Sequence, residues 1–176
     1  GVISYGDGPH EASRLNDRLQ WMWDAVDVVT PSIYSPRVIV EPGEQVCEDQ
    51  CTAEEHWEFV RNMIRETERV ANGKPVLPFL SMNYNTPHDC LRTERINDKN
   101  LFSIFMGPAR FGADGAILWG GIRNRQEFTE WQTMLDECLP HAALAQRCGS
   151  QFVRVFGGVV PKGMSREQAI ILARRH

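Results

Sequence analysis

Tyr34, Tyr84 and Trp119 fall at or just past the C-terminal ends of three apolar stretches rich in strand-forming residues. A sugar ring presents an apolar C–H face, and an aromatic face carries negative quadrupole density that attracts it, so these side chains suit a glycan groove. Ordinary packing would use the same residues, and their types alone do not separate the two uses. Arg123 and Arg125 follow Trp119. Arginine is the residue that grips a carboxylate with two parallel hydrogen bonds, although a solvated loop accounts for the pair more simply. Asp89, between His88 and Cys90, lies on a loop after a predicted strand, where a ligand contact and, more simply, an ordinary solvated loop are both open readings.

The chain has five cysteines, Cys47, Cys51, Cys90, Cys138 and Cys148. An odd number leaves at least one without a partner in the chain. Cys47, Cys51 and Cys90 lie on two loops that follow predicted strands. A disulfide between those loops and free thiols are both open readings. A metal site completed by His56 or His88 is a third, and the spacing is less regular than the four ligands of a zinc site. Glu54, Glu55 and Glu58 crowd His56. Thr52-Ala53-Glu54-Glu55 is a capping box, however, and the solvated face of a helix accounts for the other acids.

The elements that position these residues alternate in type. Leu15, Leu19, Trp23 and Val26 recur at near-helical spacing and predict a helix from about Ser13 to Ala25. The β-branched run from Val26 to Tyr34 predicts a strand, bent or ended near Pro31. A long loop over residues 35–51 leads to the capping box. Trp57, Val60, Ile64 and Val70 then mark the buried face of a helix that Asn72-Gly73 stops. Residues 74–82 predict a strand apolar on both faces, and a second long loop covers 83–97. Asp98 is placed to cap a helix with a kink at Gly107-Pro108 and an end at Gly112. Residues 115–120 predict a third strand, and Phe128, Trp131, Leu135 and Cys138 a further helix. After Ala142 the pattern weakens, with a strand between Gln151 and Val160 and a short helix after Ser165 as options.

Strand–helix alternation with parallel-type strands is βαβ architecture, so the fold class is α/β. Long loops after the strands and short ones before them match the asymmetry of a (β/α)₈ barrel. Three strands cannot close a barrel, which takes about eight strands and 250 residues. An open doubly wound sheet is the alternative, but no glycine-rich phosphate loop supports it. The expected organisation is part of a TIM-type barrel over residues 1–142 and an extension of unclear structure over 143–176.

Bulk properties exclude some functions. The 176 residues suffice for one core, and the net charge of -4 argues against nucleic-acid binding. No apolar run approaches the roughly 20 residues of a membrane span. The chain opens on Gly1 without the basic-then-apolar layout of a signal peptide, and is expected to be a segment of something longer.

Four landmarks in order resemble the hyaluronidase family of glycoside hydrolases over about residues 14–135. They are Asn16-Asp17-Arg18-Leu19-Gln20-Trp21-Met22-Trp23, Pro31-Ser32-Ile33-Tyr34-Ser35-Pro36, Pro75-Val76-Leu77-Pro78-Phe79 leading to Tyr84, and the segment from Phe111 to Gly120. The resemblance implies the last three strands of a distorted barrel, with their helices. It also implies a groove for alternating glucuronic acid and N-acetylglucosamine units. Tyr34 and Trp119 become substrate contacts, Tyr84 a third groove aromatic, and Asn85 stands where Asp is common. The family's chemistry uses no metal or other cofactor. An Asp-x-Glu pair supplies the general acid and orients the substrate's own acetamido group, a variant of the retaining scheme. This chain contains no Asp-x-Glu. Trp131 stands where a family cysteine is expected, and Cys47, Cys51 and Cys90 are additional. The resemblance therefore implies a hyaluronidase fragment that supplies groove aromatics to a complete barrel, or a non-catalytic glycan-binding relative; an unrelated βαβ enzyme matched by chance is the third alternative. The fragment's partners would be a glycosaminoglycan and the missing N-terminal half of the barrel, in an extracellular or lysosomal setting.

Overall fold

The computed structural model describes residues 9–46, 48–85 and 95–119, scattered positions from 129 to 147, and residues 152–156; residues 9–12 and 152–156 are described as backbone alone. Two helices, α1 (Pro9–Arg18) and α2 (Gln20–Ala25), replace the single helix expected from Ser13 to Ala25. The break falls at Leu19, whose ψ of 11° leaves the helical range. Its carbonyl still accepts from Met22 and Trp23, so the turn leaves no acceptor idle. The turn also changes the buried side. Leu15 and Leu19 are exposed, whereas Asn16 and Trp23 are buried. Trp23 Nε1 donates to the Asn16 carbonyl at 3.1 Å, and Asn16 Nδ2 donates to Glu66 at 2.9 Å.

Residues 29–33 then run parallel to residues 75–79. Val29 N–H donates to the Pro75 carbonyl, Leu77 N–H to Val29, Phe79 N–H to Pro31, and Ile33 N–H to Phe79. Pro31 has no N–H, so it acts in this ladder only as an acceptor. The long loop that follows is folded on itself through two short parallel strands, β1 (Val38–Ile39) and β2 (Gln50–Cys51).

Helix α3 (Ala53–Ala71) starts and stops as the sequence predicts. Glu55 N–H donates to Thr52 Oγ1, and Thr52 N–H donates to the Glu55 carboxylate at 2.8 Å. Asn72 ends it in the left-handed conformation at φ 51°. The next strand, β3 (Phe79–Ser81), is the paired core of the stretch predicted over 74–82. Helix α4 (Asp98–Phe111) is capped one residue earlier than expected, by Asn97, whose side chain accepts from Asn100 N–H. Gly112, at φ 107°, ends it. Gly107 is where α4 meets α3: a methyl group there would come within 2.6 Å of Val60 Cγ1. Strand β4 (Gly115–Trp119) follows, and β5 (Phe152–Phe156) comes after helical positions between Thr129 and Arg147.

The described strands are parallel, in the order 29–33, β3, β4, β5. Strand β5 lies within residues 143–176, where a strand between Gln151 and Val160 was one option, and it pairs with β4 along its whole length. A fourth parallel strand therefore joins the three that the sequence marked clearly. Helices α3 and α4 pack together and cover one face of the sheet. The core between them and the sheet includes Val29, Ile33, Ile64, Leu80, Ile104 and Leu118. Among the described residues, no helix is long and apolar enough to cross a membrane.

Candidate functional site

Side chains alternate across a strand, and here the alternation sorts helix-facing residues from the rest. Val29 and Ile33 belong to the core under the helices, as do Val76, Leu80 and Met82 of the next strand and Ala116 and Leu118 of β4. The intervening positions form the opposite face. Ser32 pairs with Phe79, Phe79 with Ile117, and Ser81 with Trp119. Counting on by two from Ser32 puts Tyr34 on this second face, near Ser81. Tyr34 and Trp119 thus share one face at the C-terminal ends of strands two apart, roughly 10 Å between backbones.

Trp119 is 52% exposed, an unusual state for the end of an otherwise buried strand. Its ring meets Phe79 edge-on, with centroids 5.9 Å apart and planes at 85°. Tyr34 is half-buried. Desolvation raises the pKa of its phenol, and a side-chain hydrogen bond with Ser32 works in the other direction. The phenol therefore stays protonated and able to donate across the ordinary pH range. Asn85 is exposed, and its N–H donates to the Ser35 carbonyl at 2.9 Å. Ser32, Phe79, Ser81 and Ile117 were not singled out from the sequence. Counting by two from Tyr34 and Trp119 would have found Ser32 and Ile117, whereas Phe79 and Ser81 come only from the strand pairing.

Tyr84 does not join these residues. It is 6% exposed and lies on the helix side with Leu80 and Met82. Its hydroxyl donates to Asn100 Oδ1 at 3.0 Å and accepts from Asn97 N–H at 3.1 Å. Tyr84 lies three residues past the end of β3, and these two hydrogen bonds hold it on the helix side. Its role here is to brace the folded loop. Asn100 Oδ1 also accepts from Ile39 N–H, Asn100 Nδ2 donates to the Arg37 carbonyl, and Asn97 Nδ2 donates to Ile39.

Cys51 is a free, buried thiol on β2. Burial pushes its pKa up to about 11, so it stays protonated. Its two suggested partners, Cys47 and Cys90, lie outside the described residues, as do His88, Asp89, Arg123, Arg125 and Trp131. His56 is buried, and both ring nitrogens already face serines. Nδ1 is 2.8 Å from Ser103 Oγ and Nε2 is 3.2 Å from Ser35 Oγ. That arrangement offers no free nitrogen to a metal, and among the described residues no group of three potential ligands gathers. Glu54 and Glu58 are exposed, and Glu58 pairs with Arg61 at 3.0 Å.

The parallel strands, the helical layer on one face and the half-open aromatics on the other define an α/β chain with a candidate carbohydrate-binding wall. The family model described as hyaluronidase, glycoside hydrolase family 56, matches residues 4–148, and the chain belongs to that family. It is similar to hyaluronidase-1 of Homo sapiens, 27% identical over 124 residues, covering 68% of this chain and 25% of that protein. The salivary hyaluronidase of Lutzomyia longipalpis is 25% identical over 132 residues, covering 73% of this chain and 31% of its own length. Inactive hyaluronidase B of Vespula vulgaris is 30% identical over 105 residues, covering 60% and 27%. The chain therefore spans between a quarter and a third of the length of these relatives.

Proposed function

We propose that this chain forms the sugar-binding wall of a partial TIM-type barrel and acts on hyaluronan-type N-acetylhexosaminide polymers only as part of a complete barrel. The observation that carries the reading is the shared face of Tyr34 and Trp119 at the C-terminal ends of parallel strands, where barrel enzymes hold their substrates. Family membership supplies the substrate class. Tyr34 and Trp119 contact sugar rings, with Asn85 beside them. The chain carries no Asp-x-Glu pair, so leaving-group protonation and acetamido orientation fall to residues outside it. Extracellular or lysosomal action accompanies this reading.

A second reading is a non-catalytic glycan binder, favoured by the similarity to a wasp relative whose own name calls it inactive. One experiment tests the sugar wall that both readings share. Purified chain is titrated with a hyaluronan hexasaccharide, and reducing ends are followed after incubation with the polymer. Binding without turnover is expected. Turnover that disappears with a point substitution in this chain would overturn the non-catalytic assignment of the segment. Absence of binding would remove the sugar wall.

A further inference from the structure

We infer that His56 is a positioning residue for the candidate sugar site, acting through a buried Ser35–His56–Ser103 chain; the inference rests on the sugar-wall reading. Ser35 is the residue after Tyr34 and is fully buried. Two things converge on it. Its Oγ lies 3.2 Å from His56 Nε2, and its carbonyl accepts Asn85 N–H at 2.9 Å. Ser35 is therefore the joint between the strand end that bears Tyr34 and the loop that bears Asn85. From this joint the imidazole reaches 2.8 Å to Ser103 Oγ on α4. One ring thus ties α3, α4 and the site-side end of residues 29–33 together.

The chemistry favours a specific geometry over simple filling. Ser35, His56 and Ser103 are all buried among apolar neighbours, where an unpaired polar group is costly. A neutral imidazole donates from one nitrogen and accepts at the other, so one serine must accept and the other donate. Rotating the Ser35 side chain would break that chain at the residue that follows Tyr34 and accepts from Asn85. Burial lowers the imidazole to about 4, which keeps the neutral bridging form through the ordinary pH range. Its ring otherwise packs against Phe59, with centroids 5.8 Å apart.

The test uses His56→Leu and His56→Gln in the whole chain, with amide hydrogen exchange and hexasaccharide titration as readouts. His56→Leu should speed exchange at the Asn85 amide about tenfold or more beyond any rise at the α3 amides near Val60 and Ile64. Where the unsubstituted chain binds hexasaccharide, affinity should fall about tenfold, and His56→Gln, which keeps a hydrogen-bonding side chain, should recover part of both effects. A uniform rise in exchange across the fold, or an unchanged Asn85 amide, would overturn the positioning role. If His56→Leu fails to fold, Ser35→Ala removes one link alone and is judged by the same local pattern. Failure of the unsubstituted chain to bind hexasaccharide sinks the sugar-wall reading separately, because the exchange pattern needs no ligand.

Discussion

Phe79 stands edge-on to Trp119, with ring centroids 5.9 Å apart and planes at 85°. The contact fixes the indole from the neighbouring strand while about half of Trp119 remains open to solvent. An anchored ring with a free face can stack on a sugar without first losing much side-chain freedom.

Trp119→Ala should therefore weaken hexasaccharide binding by roughly 1–3 kcal/mol, by analogy with aromatic stacking on nucleic-acid bases. It should cost less stability than Trp23→Ala, which removes a buried ring and should cost about 3–5 kcal/mol. Titration calorimetry and urea unfolding of both variants make the comparison. A Trp119→Ala chain that melts early yet binds normally would make Trp119 a core residue.

Tyr34 and Tyr84 should part company under the same substitution. Tyr84→Phe leaves Asn97 N–H without its phenol partner and should cost roughly 1–3 kcal/mol of stability, with hexasaccharide affinity unchanged. Tyr34→Phe should do the reverse, lowering affinity at little cost to stability. Denaturant midpoints and binding constants for the pair decide between this division and a common groove role.

The contrast between the two tyrosines marks the limit of what the sequence discloses. Thr52 with Glu55, Asn72 with Gly73, and Gly112 were readable because caps are local, made within a few residues of the helix end. Tyr34 and Trp119 were readable as strand-end aromatics. The side on which Tyr84 lies is not readable from local spacing, because its hydroxyl is held by Asn97 and Asn100, more than ten residues away. The break at Leu19 was also hidden: Asn16 is held inside by Glu66, fifty residues away in sequence. The buried pairing of His56 with Ser35 and Ser103 likewise has no signature in local spacing.

Acid should weaken the fold in two separable steps. The His56 imidazole lies at about 4 in the fold, against about 6.5 in an unfolded chain. Between those values the unfolded chain takes up a proton that the folded chain refuses. Stability falls as pH drops through that window, by at most about 3 kcal/mol. Burial pushes the Glu66 carboxyl up, but hydrogen bonds from Arg69, Asn16 and Ser13 outweigh it and hold the group below its ordinary value. Its contribution is present above the unfolded carboxylate range and disappears as pH falls through the folded value. In urea unfolding across a pH series, His56→Gln should flatten the first window and Glu66→Gln the second. Equal slopes in all three chains would refute the assignment.

The isolated chain should self-associate. Val28, Thr30 and Ser32 alternate with the residues that pair with residues 75–79, so their backbone groups face the other edge. Among the described residues nothing pairs with them there. An open parallel edge is a template for another strand. Sedimentation velocity should show concentration-dependent species, reduced by Val28→Lys, a charge at an exposed edge position. A monodisperse monomer at all concentrations would contradict this.

The alternation that sends Ile33 into the core and Tyr34 to the opposite face also restricts how this chain can change length. Deleting or inserting a single residue between Val29 and Ile33 would exchange the two faces, turning Tyr34 toward the helices and an isoleucine away from them. A two-residue change would preserve the faces but shift Tyr34 along the strand, away from its level with Ser81 and Trp119. Insertions and deletions in descendants of this sequence should therefore collect at residues 41–46, where the side chains are exposed, and leave the short paired segments at constant length.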